Sequence, residues 1–297
     1  QRLAGRSYKM AISLGGGGSF SAINEKKEFN SDANLITLED GRVYLKGGVT
    51  EADIATYPDA TTKFAYSGTS FSIDSQEYEP RDITWDGTYF WILGGDGRDV
   101  GKYSASGAYQ NVAFSVQSQD NGPAGLEWDG THFWVVGTVT NKAYKYTSAG
   151  VYTNTSYALA QGSNPRGIAW DGTYFWVVTN TGDAVYKYNT SFVYQTVSFS
   201  IASQDTVPTG LTWDGTHFWV VGQTNDSAYR YTASGVYTGE TISLGAQDSA
   251  PNGIVQVGTD LWITGDTGNA VYKYQKQIGV DSQGGIADGN QNYVRIK

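Results

Sequence analysis

Apolar residues along the chain come in short runs, such as Phe175-Trp176-Val177-Val178, bounded by Gly, Asp, Asn or Thr. Runs of this length between turn residues predict β-strands, and no 3.6-residue period competes with them. One stretch shows four such strands, here lettered a to d. Strand a is Gly167–Trp170, a hairpin dipeptide follows at Asp171-Gly172, and strand b is Tyr174–Val178. Strand c is Ala184–Tyr188, and strand d is Val197–Ile201 after a polar turn. Strand b is apolar on both faces, so it needs cover on both sides.

The pattern recurs. Pro165 to Val178 returns as Pro208 to Val221, Pro123 to Val136 and Pro80 to Leu93. A degraded copy runs from Pro251 to Thr264, and a fainter one from Ile36 to Leu45. Trp91, Trp134, Trp176, Trp219 and Trp262 mark one repeat position, with a period near 43 residues. Trp85, Trp128, Trp170 and Trp213 mark a second position, six residues earlier. Because all nine Trp follow the scaffold, they read as core between repeats rather than as sugar-stacking platforms. Four short strands per period of this length predict an all-β propeller with four-stranded blades.

Candidate d strands centre on Phe20, Phe71, Phe114, Tyr157, Phe199 and Ile242, each ahead of a strand a. This predicts a six-bladed β-propeller over residues 19–275. The first d strand, at Phe20, is expected to pair with the last c strand, at Val271, and so to hide the open edges of the array. Residues 1–18 would form an N-terminal arm with a Gly-rich joint at Gly15–Gly18, and residues 276–297 a C-terminal β segment for attachment. Tyr8–Leu14 and Asn292–Ile296 alternate enough to pair with each other or with a partner chain.

Composition narrows the function. With no Cys, neither a disulfide nor a Cys-ligated metal is available. A net charge of −9 disfavours nucleic acid as a partner. No apolar run reaches the length of a membrane helix, so no membrane insertion is expected. Nor do the first 20 residues hold a secretory-leader core; starting at Gln1, the chain is expected to have lost a leader or initiator Met already.

In a propeller the a–b and c–d turns share one face, and the d–a and b–c loops share the other. The a–b turn is Asp-Gly-Thr in four units, whereas the b–c loops differ, so binding is expected on the second face. Its candidates are Asp96, Arg98, Asp99, Asn141, Asn180, Asp183, Asn225, Asp226, Asp266 and Asn269, with Tyr78 in the unusual loop before Pro80. The residue after each repeat Pro enters the channel mouth, and two of these are Arg81 and Arg166. They suggest an anion-binding mouth, because guanidinium forks match carboxylates and sulfates. The plainer reading has both groups bonded to loop carbonyls. The loop Asx residues are expected to form turns rather than a Ca²⁺ site, so no metal or cofactor is expected. His132 and His217 replace Tyr and form no pair. Lys145, Lys187, Arg230 and Lys273 are expected to lie along the surface, with Asp129, Asp171 and Asp214 as partners.

The unit Pro-x-Gly-Ile-x-Trp-Asp-Gly-Thr-x-Phe-Trp-Val-Val, with Val-Tyr-Lys-Tyr and Gly-Val-Tyr-Thr downstream, resembles propeller repeats of bacteriophage virion proteins. Tail-fibre and tail-tip proteins of aquatic phages are the nearest kind, and Pro165–Tyr188 and Pro208–Thr238 carry the resemblance best. Such repeats also occur in bacterial surface proteins. The resemblance implies a non-enzymatic virion or extracellular module that attaches to a host-surface glycan or protein or decorates the particle. Its termini would engage other virion subunits, and no catalytic residues carry over. Two alternatives are a bacterial adhesin or lectin and a carbohydrate-active enzyme. The enzyme would need a deep axial pocket with two close carboxylates.

Overall fold

The computed structural model describes residues 36–39, 42–46, 62–74, 79–278 and 293–296. It divides into two units, one over 65–275 and one made of the segments on either side. The larger contains five four-stranded sheets. In the first blade the strands run outward as Pro80–Trp85, Phe90–Gly94, Asp99–Tyr103 and Tyr109–Ser115, each antiparallel to the next. The five innermost strands are Pro80–Trp85, Pro123–Trp128, Ser163–Trp170, Pro208–Trp213 and Pro251–Val257. Each lies against the next, and the last lies against the first.

The propeller therefore has five blades, not six. The fifth sheet takes its three inner strands from Pro251–Val257, Asp260–Gly265 and Ala270–Ile278, and its outer strand from Thr62–Ser72. The strand that pairs with Val271's strand is thus the one containing Phe71. Phe20 lies outside the described residues. The Ile73 N–H donates to the Asn269 carbonyl at 2.9 Å, and the Tyr66 ring packs 6.0 Å from that of Tyr274. The faint copy at 36–45 does make a hairpin, Ile36–Glu39 with Arg42–Lys46. Its third strand is Tyr293–Ile296, so it builds a small sheet of the second unit rather than a blade. The copy shares strand alternation with the blades but lacks the Pro and the later Trp common to all five, and the inner-strand glycine that four of them carry.

That glycine sits two residues after each repeat Pro, at Gly125, Gly167, Gly210 and Gly253, with Asp82 in the first blade. A Cβ on Gly167 would come 2.7 Å from the Leu211 backbone N, and one on Gly125 2.9 Å from the Arg166 carbonyl. On Gly210 it would overlap the Asn252 carbonyl, and on Gly253 the Asp82 backbone. The inner strands meet backbone to backbone, and this contact leaves no gap for a sixth.

The seams between blades are aromatic. Trp91 lies 4.8 Å from Phe133 of the next blade, Trp134 5.1 Å from Phe175, and Trp176 4.7 Å from Phe218. Trp262 of the fifth blade meets Phe90 of the first at 4.9 Å and so closes the circle. These Trp are buried; the earlier member of each pair is half-buried against the Phe of its own blade. Asp86 fixes the seam to its turn. Its Oδ1 accepts the Thr88 and Tyr89 N–H groups, and its Oδ2 accepts the Trp91 indole N–H at 2.7 Å. Asp129 and Asp171 repeat this clamp. With those oxygens occupied, Lys102 and Lys187 lie over the Tyr89 and Tyr174 rings, each at 3.8 Å, and Lys145 over Trp134 at 5.3 Å. Only Arg230 takes the expected turn partner, Asp214, at 3.0 Å, while Lys273 pairs with Asp260 at 2.8 Å.

Replacing Gly210 with Ala forces the inner strands apart. The Gly210→Ala variant is expected to lose about 1–3 kcal/mol in equilibrium urea unfolding, the usual cost of overpacking. Unchanged stability would mean that the inner strands separate freely.

Candidate functional site

The pairing of strands a and b slips by one residue after each of the first four repeat Pro. Pro80 faces Gly94 and Asp82 faces Leu93, so Arg81 is the extra residue of a β-bulge. Ala124, Arg166 and Thr209 are bulged in the same way, and Asn252 falls within the longer slip between Pro251 and Ile254. A bulge re-aims one side chain without disturbing the strand beyond it. Of the five residues at this position, Arg81, Ala124 and Arg166 line one cavity, while Thr209 and Asn252 tie blades together: Thr209 Oγ1 donates to the Asn252 carbonyl at 3.0 Å, and Asn252 Nδ2 donates to the Pro80 carbonyl at 2.9 Å. Arg81 and Arg166 make neither of these bonds.

Both arginines line one cavity of about 310 Å³, together with Arg98, Glu79 and Asp96. The cavity exists because small residues stand where sister blades carry larger ones. Gly95 and Gly122 form part of its wall, and Ala124 occupies the bulge position of the second blade. A Cβ on Gly95 would come 2.5 Å from Arg81 Nε, and one on Gly122 2.5 Å from the Thr138 hydroxyl. Arg81 forms an ion pair with Glu79 at 2.6 Å at the partly exposed rim. Arg98 Nε donates to the Asn121 carbonyl at 2.8 Å. Arg166 Nε is buried and has no hydrogen-bond partner. Burial, reinforced by the charge of Arg81, lowers the pKa of Arg166. The expected loop-carbonyl bond is thus present at Arg98, not at Arg166 Nε.

The remaining loop candidates have a different role. Arg98, Asn141, Asp183, Asp226 and Asn269 are equivalent, and all have positive φ, from 42° to 56°. Asn and Asp tolerate that conformation best, so four of the five were chosen for a turn. Arg98 is the exception, and it is the one that lines the cavity. Asn225 is bound into its own loop through Gln204, Asp205 and Tyr229. Asn180 is the penultimate residue of the second strand of its blade, and Asp99 begins the third of its own. Burial raises the carboxyl of Asp266, with Arg81 opposing. Tyr78 lies outside the described residues.

Sequence reasoning missed a second repeated motif beneath these loops. Gln-Asp-x-x-Pro recurs at 119–123, 204–208 and 247–251. Asp120, Asp205 and Asp248 are buried, and their oxygens accept the backbone N–H groups two residues on, at Gly122, Val207 and Ala250, and others from the b–c loop of the following hairpin, at Thr140, Asn225 and Gly268. The Gln side chains accept the hydroxyls of Tyr146, Tyr231 and Tyr274. The signal was there to find: the period applied to the d–a loops.

Two carboxylates do sit on inner strands, but not in this cavity. Asp82 accepts N–H groups from Ile83 at 2.9 Å, Leu126 at 2.7 Å and Ile254, thereby joining the fifth, first and second blades. Glu127 accepts the Trp170 N–H at 3.2 Å. Burial pushes the Asp82 carboxyl well up, more than its three amide partners draw it down. Glu127 is likewise raised, first by burial and then by the charge of Asp82. Among the described residues no His, Asp or Glu cluster suited to a metal is found.

No protein-family model matches the chain, and no curated protein sequence does. Among solved structures, glutaminyl cyclase of Myxococcus xanthus is similar, with a TM-score of 0.60 at 11% identity over 73% of this chain and 97% of its own. Virginiamycin B lyase from Staphylococcus aureus aligns at 18% identity over 89% and 86% of the two chains, with a TM-score of 0.43. BamB from Moraxella catarrhalis aligns at 10% identity over 71% and 97%, with a TM-score of 0.39. The likeness to the cyclase supports the propeller architecture alone, since activity resides in sites grafted on a fold.

A carboxyl raised on folding holds a proton that the unfolded chain releases. Its stabilising effect is complete below the unfolded pKa, near 4, and declines as pH rises toward the folded value. Glu127→Gln removes one such group. In urea unfolding from pH 4 to 9, the variant is expected to gain on the parent protein steadily as pH rises. Parallel pH profiles would place Glu127 in the ordinary carboxylate range.

Proposed function

We propose that this protein is a non-catalytic recognition propeller of a virion, of the bacteriophage tail-fibre or tail-tip kind that its repeats resemble. It grips a host-surface glycan or protein through the loop face. The observation that carries this reading is where the repeats diverge. Four of the five seams join Trp to Phe, three blades carry the Asp–Trp clamp and three the buried loop Asp, but the first three blades depart from one another around a single concave site rimmed by Arg81, Arg98 and Arg166. Variation concentrated in loops on a rigid scaffold is the usual form of a recognition surface. Under this reading the small sheet of Ile36–Glu39, Arg42–Lys46 and Tyr293–Ile296 faces other virion subunits.

A carbohydrate-active reading would draw on Asp82 and Glu127. Asp82 has both oxygens committed to backbone amides, and the cavity does not include either acid. That arrangement favours binding over hydrolysis.

The test uses fluorescently labelled full-length protein and a panel of bacteria, read by flow cytometry. Saturable binding to a subset of strains is expected, lost after periodate treatment for a glycan receptor or after protease treatment for a protein receptor. Binding to no strain, or release of sugars from the cell surface, would overturn the proposal.

A further inference from the structure

Three guanidinium groups and two carboxylates line the loop-face cavity, a surplus of one positive charge. The charges are unequally satisfied. Arg81 is held by Glu79, and Arg98 by the Asn121 carbonyl, but the buried Nε of Arg166 has no acceptor. A buried donor without a partner is rare in folded proteins and marks a place where an acceptor belongs. Arg166 also stands on a bulge, which is what turns it into the mouth. None of the lining residues is aromatic, so the cavity has no platform for stacking a neutral sugar ring.

We propose that the cavity binds a singly charged carboxylate, with Arg166 as its anchor and Arg81 as the second clamp once Glu79 has swung away. Carboxylates match guanidinium forks in plane and spacing. A dianion such as phosphate fits less well, because Glu79 and Asp96 already place two negative charges at the rim. Glu79 acts as a built-in competitor: its carboxylate occupies the site on Arg81 that the ligand needs. A uronic-acid sugar and an acidic peptide side chain carry the same group. The proposal rests on the reading of the loop face as a ligand site, and its test separates the two.

Full-length protein is titrated by calorimetry with sodium glucuronate, N-acetyl-aspartate, inorganic phosphate and methyl glucoside. At least one carboxylate probe is expected to bind tenfold or more tightly than phosphate or methyl glucoside, and the tighter of the two identifies the source. Arg166→Ala is expected to weaken that probe at least tenfold, and Glu79→Gln to tighten it threefold or more. Equal affinity for all four probes, or wild-type affinity in Arg166→Ala, would overturn the site. If Arg166→Ala does not fold, Glu79→Gln decides alone: a gain larger for the carboxylate probe than for phosphate marks a competing carboxylate, whereas a gain no larger than that of phosphate overturns the site. Cell binding is measured on the same samples. Carboxylate binding without cell binding upholds the site and removes the attachment role. Cell binding by a protein that takes no carboxylate does the reverse.

Discussion

The closeness of five inner strands governs this propeller. At Gly125, Gly167, Gly210 and Gly253 one backbone rests on the next with no room for a side chain. The distance between neighbouring blades is therefore set by the chain itself. Asp82 is the one side chain at that level. Its carboxylate joins the three blades nearest the closure through backbone amides. Such a buried acid is costly alone and tolerable only when its oxygens are fully bonded. Outside the ring, everything else is spacing: the Trp–Phe seams fill the wedges that widen outward, and the Asp–Trp clamps hold those rings in place.

The loop-face mouth is shaped by the same strands. The residue before the axial position is displaced as a bulge in the first four blades, whether that position holds Gly or, in the first blade, Asp82. Across the five repeats the residue there is Arg81, Ala124, Arg166, Thr209 or Asn252. Two of them, Thr209 and Asn252, are spent on ties between blades. Arg81 and Arg166 remain as charges around an opening made by Gly95, Gly122 and Ala124.

Much of this was legible in the sequence, because Trp, Pro and Asp-Gly-Thr recur at fixed intervals and each has one structural reason to do so. The four-stranded blades came from that period. The blade count did not. Ile36 to Leu45 alternates as a hairpin should, and alternation alone cannot tell a blade from a separate sheet. What distinguishes them is the inner strand, which in every blade lies against the inner strands on either side, a contact that alternation does not announce. Asn141, Asp183, Asp226 and Asn269 looked like ligands because the same short polar side chains serve left-handed turns. Arg98 shares that backbone without being suited to it, and it is the loop residue that lines the cavity. The buried Gln-Asp pairs recur before only three of the five repeat Pro, so the period marks them faintly.

Ring closure brings together Thr62–Ser72 and Ala270–Ile278, neighbours in the fifth blade though distant in the chain. The polypeptide thus enters and leaves the propeller through a single pair of strands. A pull between the two flanking segments is borne by the hydrogen bonds of that pair, acting as a buckle. The first three blades, where the cavity lies, are outside the line of force. A module pulled between its two ends would keep its mouth in shape until the buckle itself gave way.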